Sequence, residues 1–211
     1  MAKILIVEDH PIFRRGVKDI LTANQQFTHV GEAENANQAM ELLRKQHWNI
    51  MILDISLPGK SGLELIKEVK IAYPKLGVLV LSVQSEDQYA IRMLRAGASG
   101  YLTKDRTPEE LIIALTKLLQ GKKYISESVT ERVLTQLEPG AEKPEYQFLS
   151  DREFEVLKLI AQGSAPRNIC VQLHISPRTV STYRSRLLQK LNLKSNAQLV
   201  QYAIENKLLE A

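Results

Sequence analysis

The chain has 211 residues, room for one large domain or two modest ones, and its 44% hydrophobic and 25% charged content is ordinary for a globular protein. No apolar run approaches the roughly 20 residues of a membrane span, and the N-terminus meets Glu8-Asp9 after a single basic residue, unlike a secretory signal. The lone cysteine, Cys170, excludes an intrachain disulfide and fits a reducing cytoplasm, so a cytoplasmic protein without a membrane partner is expected, with Cys170 a small buried hydrophobe.

Residues 1–125 alternate strand and helix patterns, the signature of βα units. Strands are predicted at Lys3–Val7, His29–Ala33, Ile50–Leu53, Gly77–Ser82 and Ser99–Leu102. Helical periodicity falls between them, at Pro11–Asn24, Asn35–Gln46, Gly62–Tyr73, Glu86–Arg95 and Thr107–Gln120. Thr107-Pro108-Glu109-Glu110 supplies an N-cap, a proline at the first helical position and acids in the first turn. The strands are short apolar runs, the pattern of a parallel sheet covered on both faces. Residues 126–147 differ. Ser128–Leu137 has the pattern of a short helix, and Glu138–Glu145 has breakers and charge with little to bury, the composition of a flexible linker.

Residues 148–211 look wholly helical. Ser150-Asp151-Arg152-Glu153 is a capping box that opens a helix ending at Gly163. A short helix covers Ala165–Leu173. Ser176-Pro177 starts a third helix, running to Leu191, and Ser195-Asn196-Ala197-Gln198 is a second capping box that opens a fourth. Short helix, tight turn and longer basic helix make a helix-turn-helix unit. The net charge of +4 divides unevenly: +3 over residues 1–125, −3 over 126–147 and +4 over 148–211. From Val156 to Ile204 there is no acid, while Lys158, Arg167, Arg178, Arg184, Arg186, Lys190 and Lys194 are basic. A one-signed stretch of that length is a candidate nucleic-acid surface, to be weighed against a merely solvated basic face.

The chemistry-bearing residues of the first half sit at strand ends. Glu8 and Asp9 follow the first strand, Asp54 the third and Lys104 the fifth, and Ser82 ends the fourth. In a doubly wound sheet, ligands bind outside the carboxyl ends of the strands. Three convergent carboxylates call for a cation, and a hard ion such as Mg²⁺ (or Mn²⁺) suits oxygen donors. Asp9 is the expected direct ligand. Glu8 helps through a water, Asp54 shares the site, and the backbone carbonyl of Ser56 fills another position. Asp54 is the candidate nucleophile toward phosphorus, and the Ser82 hydroxyl and Lys104 are placed to receive the new phosphoryl group. Any one of these residues alone would be an ordinary loop or strand residue. Their joint placement carries the reading. His10, His29, His47 and His174 show no ligand spacing and are expected to be structural or exposed.

Other classes fit less well. A haloacid-dehalogenase-type phosphatase needs a second Asp two residues after the nucleophile, where this chain has Ser56. A binding module that is never phosphorylated would leave the set Glu8, Asp9, Asp54, Ser82 and Lys104 without a purpose. A flavin domain would need a phosphate-cradling loop after the first strand.

Residues 1–125 resemble the receiver domain of two-component response regulators. The resemblance lies in Ile4-Leu5-Ile6-Val7-Glu8-Asp9-His10-Pro11, Leu53-Asp54-Ile55-Ser56-Leu57-Pro58-Gly59, Leu81-Ser82 and Gly97-Ala98-Ser99-Gly100-Tyr101-Leu102-Thr103-Lys104. Residues 148–208 resemble the LuxR-type helix-turn-helix domain through Leu149–Leu157 and Ile175–Val180. Together they resemble a NarL/FixJ-type transcription regulator, with Thr179–Leu191 most similar to the BvgA/EvgA branch. The resemblance implies an α/β, flavodoxin-like receiver of five parallel strands in the order 2-1-3-4-5, followed by an all-α domain of four helices. It implies phosphotransfer from a sensor histidine kinase to Asp54, homodimerisation of the phosphorylated form and binding to double-stranded promoter DNA, with RNA polymerase a further partner. Ser82 and Tyr101 match its switch pair, and Ser56 and Gln84 match positions that tune dephosphorylation.

At about 100° per residue, Val180, Tyr183, Leu187 and Leu191 share one face of the third helix. Arg178, Ser181, Thr182, Ser185 and Gln189 share the other, with Arg186 beside them. The polar face is expected in the major groove. Arg178, Thr179, Ser181, Thr182 and Ser185 are then the residues nearest the bases, and Arg184, Arg186 and Lys190 reach phosphates. The base-reading set is hydroxyl-rich, since many family members carry Lys and His where this chain has Ser181 and Tyr183. The last helix has a broad apolar arc from which Leu199, Val200 and Ala203 are candidates for a dimer contact.

Overall fold

Short apolar runs bounded by charge or glycine build the first half of the molecule. A computed structural model describes residues 2–83, 86–127, 129–131, 145–206 and 208–209. The chain divides into two compact units between Thr135 and Gln136. In the first, β1 (Ala2–Val7), β2 (Phe27–Ala33), β3 (Ile50–Leu53), β4 (Gly77–Ser82) and β5 (Gly100–Thr103) form one parallel sheet. Its order is β2-β1-β3-β4-β5. The helices between strands are α1 (Pro11–Thr22), α2 (Ala36–Lys45), α3 (Gly62–Ala72) and α4 (Glu86–Ala96), and α5 (Pro108–Leu119) follows β5.

Side chains alternate across a strand. Ile4, Ile6, Ile50, Ile52, Leu79, Leu81 and Leu102 therefore share one face, where they pack with Val17 and Leu21 of α1 and Leu111, Leu115 and Leu118 of α5. Leu5, Val7, Met51, Leu53, Val78 and Val80 point the other way and are equally buried. The apolar side chains of α2 and α3, among them Met40, Leu43, Leu65, Ile66 and Val69, are buried as well. The strand edges fall within two residues of the sequence expectation. No local pattern marks Tyr124 as an extension of the sheet. Its backbone bridges Gly100, with Tyr101 N–H donating to Tyr124 O at 3.1 Å. A Cβ at Gly100 would lie 2.8 Å from that oxygen, so only glycine permits the approach.

Ser126 opens a helical turn, its hydroxyl accepting from Val129 N–H and its carbonyl from Thr130 N–H. Most of the helix expected at Ser128–Leu137, and the linker expected at Glu138–Glu145 except its last residue, lie outside the described residues.

The second unit has a 3₁₀ turn (Glu145–Phe148), then α6 (Asp151–Ala161), α7 (Pro166–Leu173), α8 (Pro177–Lys190) and α9 (Asn196–Glu205). Phe154, Val156, Leu157, Ile169, Val180, Leu187, Leu191, Leu199 and Ala203 form its core. The turn between α7 and α8 needs one left-handed residue, His174 at φ 51°. Cys170 is half-buried rather than buried. The capping box at Ser150 forms with both hydrogen bonds. The one at Ser195 forms only half: Gln198 N–H donates to Ser195 Oγ, while Gln198 Oε1 accepts from Lys194 N–H at 2.6 Å.

The start of α3 lies against the backbone that carries Asp54. A Cβ on Gly62 would lie 2.5 Å from Ile55 Cα and 3.0 Å from Asp54 O. Both are backbone atoms, which cannot rotate aside. Gly62→Ala should destabilise the first unit by about 1–3 kcal/mol, the cost of overpacking, in urea unfolding. A change below about 0.5 kcal/mol, typical of an indifferent surface site, would show that the loop after β3 has slack.

Candidate functional site

Register brings the charged residues together. Val7 pairs with Leu53, so the residues after them, Glu8 and Asp54, emerge side by side. Ser82 pairs with Thr103, and Lys104 N–H donates to Ser82 O at 2.8 Å. Lys104 lies two strands from Asp54, a gap its long stem spans. Its Nζ donates to Glu8 Oε2 at 2.7 Å and Asp54 Oδ2 at 2.8 Å. Phe13 of α1 places its ring centroid 4.4 Å from the same ammonium.

Glu8 and Asp54 are 2% and 3% exposed. Asp54 Oδ1 accepts from Ser56 N–H at 3.0 Å, which turns the Ser56 peptide toward the pocket while its side chain stays exposed. Glu8 Oε1 accepts from His10 N–H at 3.1 Å, and Glu8 O accepts from Arg14 Nη1 at 2.7 Å. Asp9 Oδ1 is buried and makes no hydrogen bond among the described residues. It lies 3.0 Å from His10 Nδ1, a close approach without hydrogen-bond alignment. Glu8, Asp9, His10 and Asp54 each bring a donor atom into one cluster, all within 4.8 Å of one another. An orphaned carboxylate oxygen among hard oxygen donors fits a divalent cation.

Ser82 and Tyr101 are buried, at 0% and 1% exposure, so the aromatic ring lies within the fold. Gln84 lies outside the described residues. His10 is the residue that sequence spacing missed. It sits at the N-cap of α1, and the turn made by its own N–H brings the ring back to the acids. Arg14 and Phe13 were likewise invisible, because only the α1–β1 packing reveals them.

In the second unit, α8 buries Val180 and Leu187, with Leu191 just after it, and exposes Arg178, Ser181, Thr182, Ser185, Arg186 and Gln189. Two of the expected base readers are bonded back to their own helix. Thr182 Oγ1 donates to Arg178 O at 2.9 Å and Ser185 Oγ to Ser181 O at 3.0 Å, which leaves each hydroxyl free only to accept. Thr179 Oγ1 pairs with Ser176 Oγ, and Arg184 Nε donates to Asn196 Oδ1 at 2.6 Å. Arg178, Ser181 and Arg186 have side chains with no partner among the described residues. Lys190, expected to reach a phosphate, is 45% exposed but is also held within its own unit. Its Nζ donates to Glu153 Oε2 at 2.7 Å, on a carboxylate only 2% exposed that also caps α6 through Ser150 N–H. Burial pushes the Glu153 carboxyl up, but Lys190 and the Ser150 N–H outweigh it and hold it below the usual range. The apolar arc of α9 needs a correction. Leu199 and Ala203 are fully buried in the core of their own unit, where α9 packs on α6, and cannot meet a partner. Val200 is half-buried, and Ile204, at 59% exposure, is the arc residue that faces outward.

A model of the response regulator receiver domain matches residues 4–116, and a model of bacterial regulatory proteins of the luxR family matches residues 147–203. Response regulator UvrY of Escherichia coli is 31% identical over 212 residues, covering 100% of this chain and 97% of its own. The oxygen regulatory protein NreC of Staphylococcus epidermidis is 32% identical over 216 residues, covering 99% of each. Among solved structures, RcsB from Salmonella enterica serovar Typhimurium, bound to promoter rprA in the presence of phosphomimetic BeF3−, superposes with a TM-score of 0.64 at 29% identity. The match covers 95% of this chain and 97% of that one.

Burial first, then the charge of Asp54, push the Glu8 carboxyl above its ordinary 4.5, against the pull of Lys104 and the His10 N–H. For Lys104, burial works downward, but the bonds to Asp54 and Glu8 prevail and hold the ammonium above its usual value. A raised folded pKa means that the unfolded chain ionises first as pH rises. The Glu8 contribution is complete below the unfolded value and is lost as pH climbs through the folded one. In the absence of divalent ions, stability should therefore carry a loss that begins as pH rises past 4.5, and Glu8→Gln should flatten it. Urea unfolding at stepped pH reads this. If the Glu8→Gln profile tracks the parent, the pocket strain lies elsewhere.

Proposed function

The chain belongs to the NarL/FixJ-type response regulators, a receiver domain joined to a LuxR-type DNA-binding domain, and from that membership we propose that Asp54 is the phosphoacceptor whose modification controls dimerisation and promoter binding. The receiver would span residues 1–125, the linker 126–147 and the DNA-binding domain 148–211, working in the cytoplasm. The observation that carries the reading is the Lys104 ammonium, 2.8 Å from Asp54 and 2.7 Å from Glu8. It offsets the charge of the nucleophile and is placed to follow that charge onto a phosphoryl oxygen.

A sensor histidine kinase or a small acyl phosphate would supply the phosphoryl group. Asp54 attacks phosphorus through one carboxylate oxygen, and the bond to the donor breaks. Glu8, Asp9, Asp54 and the Ser56 carbonyl would hold Mg²⁺ or Mn²⁺, which supplies charge neutralisation between the acids and the incoming oxygens. Phosphorylation replaces the single carboxylate charge of Asp54 with about −1.5 to −2 charges spread over the phosphoryl oxygens, a change in amount and position that Lys104 and the Ser82 hydroxyl are placed to answer. Movement of Ser82 toward the phosphoryl group, with the buried Tyr101 on the neighbouring strand beside Val80, would carry the signal. Ser56 and Gln84 would set the rate at which water removes the group. The chain is on this reading a switch that assists its own modification, without substrate turnover.

DNA binding rests on α8. Arg178 and Ser181 have polar groups open to base edges, Arg186 is open to phosphates, and the hydroxyls of Thr179, Thr182 and Ser185 can accept from base amino groups. RcsB was solved on promoter DNA, which supports the same docking here. RNA polymerase would be a further partner, and outward residues of α9 such as Ile204 would serve a dimer contact.

Incubation with a small acyl phosphate and Mg²⁺ should add one phosphate to the parent chain, by intact mass, and none to Asp54→Ala or to the parent with EDTA. Persistence of the full label in Asp54→Ala would move the phosphoacceptor elsewhere. Lys190 and Arg186, two of the four basic residues of α8, should separate cleanly. Lys190→Ala should cost about 1.5–3 kcal/mol of stability, the range for hydrogen bonds to charged groups, with little effect on the salt dependence of DNA binding. Arg186→Ala should leave stability within about 0.5 kcal/mol and reduce the salt slope by about 1. The opposite assignment, from unfolding curves and binding at several salt concentrations, would show that α8 presents a different edge to DNA.

A further inference from the structure

We propose that His10 is an additional ligand for a divalent transition ion, so that one imidazole makes this pocket discriminate first-row transition metals from Mg²⁺. The inference rests on the reading of the carboxylate pocket as a cation site. His10 Nδ1 lies 3.1 Å from Glu8 Oε1 and 3.0 Å from Asp9 Oδ1. Metal–donor bonds of about 2.1 Å put neighbouring donors roughly 3 Å apart in an octahedral shell. The imidazole nitrogen is thus already spaced as a neighbour of both acids.

Three further facts point the same way. His10 is the N-cap of α1 but makes no capping hydrogen bond with its side chain. Residues favoured at this position make such a bond, whereas this ring turns back and sets Nδ1 in hydrogen-bond contact with Glu8 Oε1 at 3.1 Å, a contact that a bound cation would replace. The peptide is fixed on both sides, by His10 N–H on Glu8 Oε1 and by Pro11 at the first helical position. The side chain is 69% exposed, which leaves an entry path, and Asp9 Oδ1 beside it is buried without a hydrogen bond.

Chemistry decides which ions gain. Mg²⁺ prefers oxygen donors and water, so a nitrogen adds little to its binding. Imidazole suits Mn²⁺ to Zn²⁺, with affinity rising along the series toward Cu²⁺. His10 therefore acts on selectivity and leaves the Mg²⁺ site of the carboxylates intact.

The test uses the full-length, unphosphorylated chain. Pulsed EPR on bound Mn²⁺ reads nitrogen coupling directly, and calorimetry gives Mg²⁺ and Ni²⁺ affinities for the parent, His10→Ala and His10→Gln. The parent should show nitrogen coupling that both variants lose. Loss of even a supporting partner of a ligand costs about 10–100-fold in metal affinity. Both variants should therefore lose at least about 10-fold for Ni²⁺ while Mg²⁺ affinity changes less than about 2-fold. Mn²⁺ bound without nitrogen coupling, beside normal Mg²⁺ binding, would overturn the role of His10 and leave the pocket reading standing. Nitrogen coupling retained in His10→Ala would assign the ligand to another histidine and overturn the role of His10 equally. Failure of both Mg²⁺ and Mn²⁺ to bind the parent would overturn the pocket reading and this inference with it.

Discussion

One ammonium between two buried carboxylates organises the receiver. Lys104 reaches Glu8 and Asp54 across the carboxyl ends of the strands. A unit charge pair at about 4 Å is worth roughly 4 kcal/mol at the effective dielectric near a protein surface, yet taking charges out of water costs as much or more. Glu8 records that imbalance. Its carboxyl is pushed upward by burial and by Asp54 despite the lysine. The cluster is thus a poor device for stability. It is an acidic pocket held short of neutrality, with one positive group shared between two acids.

The sheet is what makes that pocket possible. Two apolar faces, each buried under helices, hold the strands in the register that sets Val7 against Leu53 and Ser82 against Thr103. Glu8, Asp54 and Lys104 need no specific packing of their own, because each is the first or nearly the first polar residue after an apolar run. That is why they were legible in the sequence. Charge at the end of a buried strand is a local pattern, and the strand ends converge by topology. The core helices were legible for the same reason, through periodicity and caps such as Ser150 with Glu153.

The sequence was silent where a residue's partner is distant in the chain. Glu153 was legible as a cap, but its second role, holding Lys190 at 2.7 Å, needs α6 packed on α8. Lys190 therefore looked like any exposed base on a DNA-facing helix. Leu199 and Ala203 belong to a broad apolar arc, and no property of α9 alone tells which part of that arc meets α6. His10 has no ligand spacing because a one-residue turn brings it back to the acids it follows. Gln198 satisfies the capping pattern but gives its carbonyl to Lys194, a choice of one residue that periodicity cannot resolve.

Coupling between the two units is the central claim, and it is thermodynamic: phosphorylation must change affinity for DNA. Its most direct measurement is the affinity of the full chain for a site obtained by in vitro selection, with and without a small acyl phosphate and Mg²⁺, in the parent and in Asp54→Ala. Coupling free energies in such switches are typically about 1–3 kcal/mol, or roughly 5–150-fold. A tightening of that order is expected in the parent, and no change in Asp54→Ala. Equal affinity for the phosphorylated and unphosphorylated parent, or the same tightening in Asp54→Ala, would contradict the coupling.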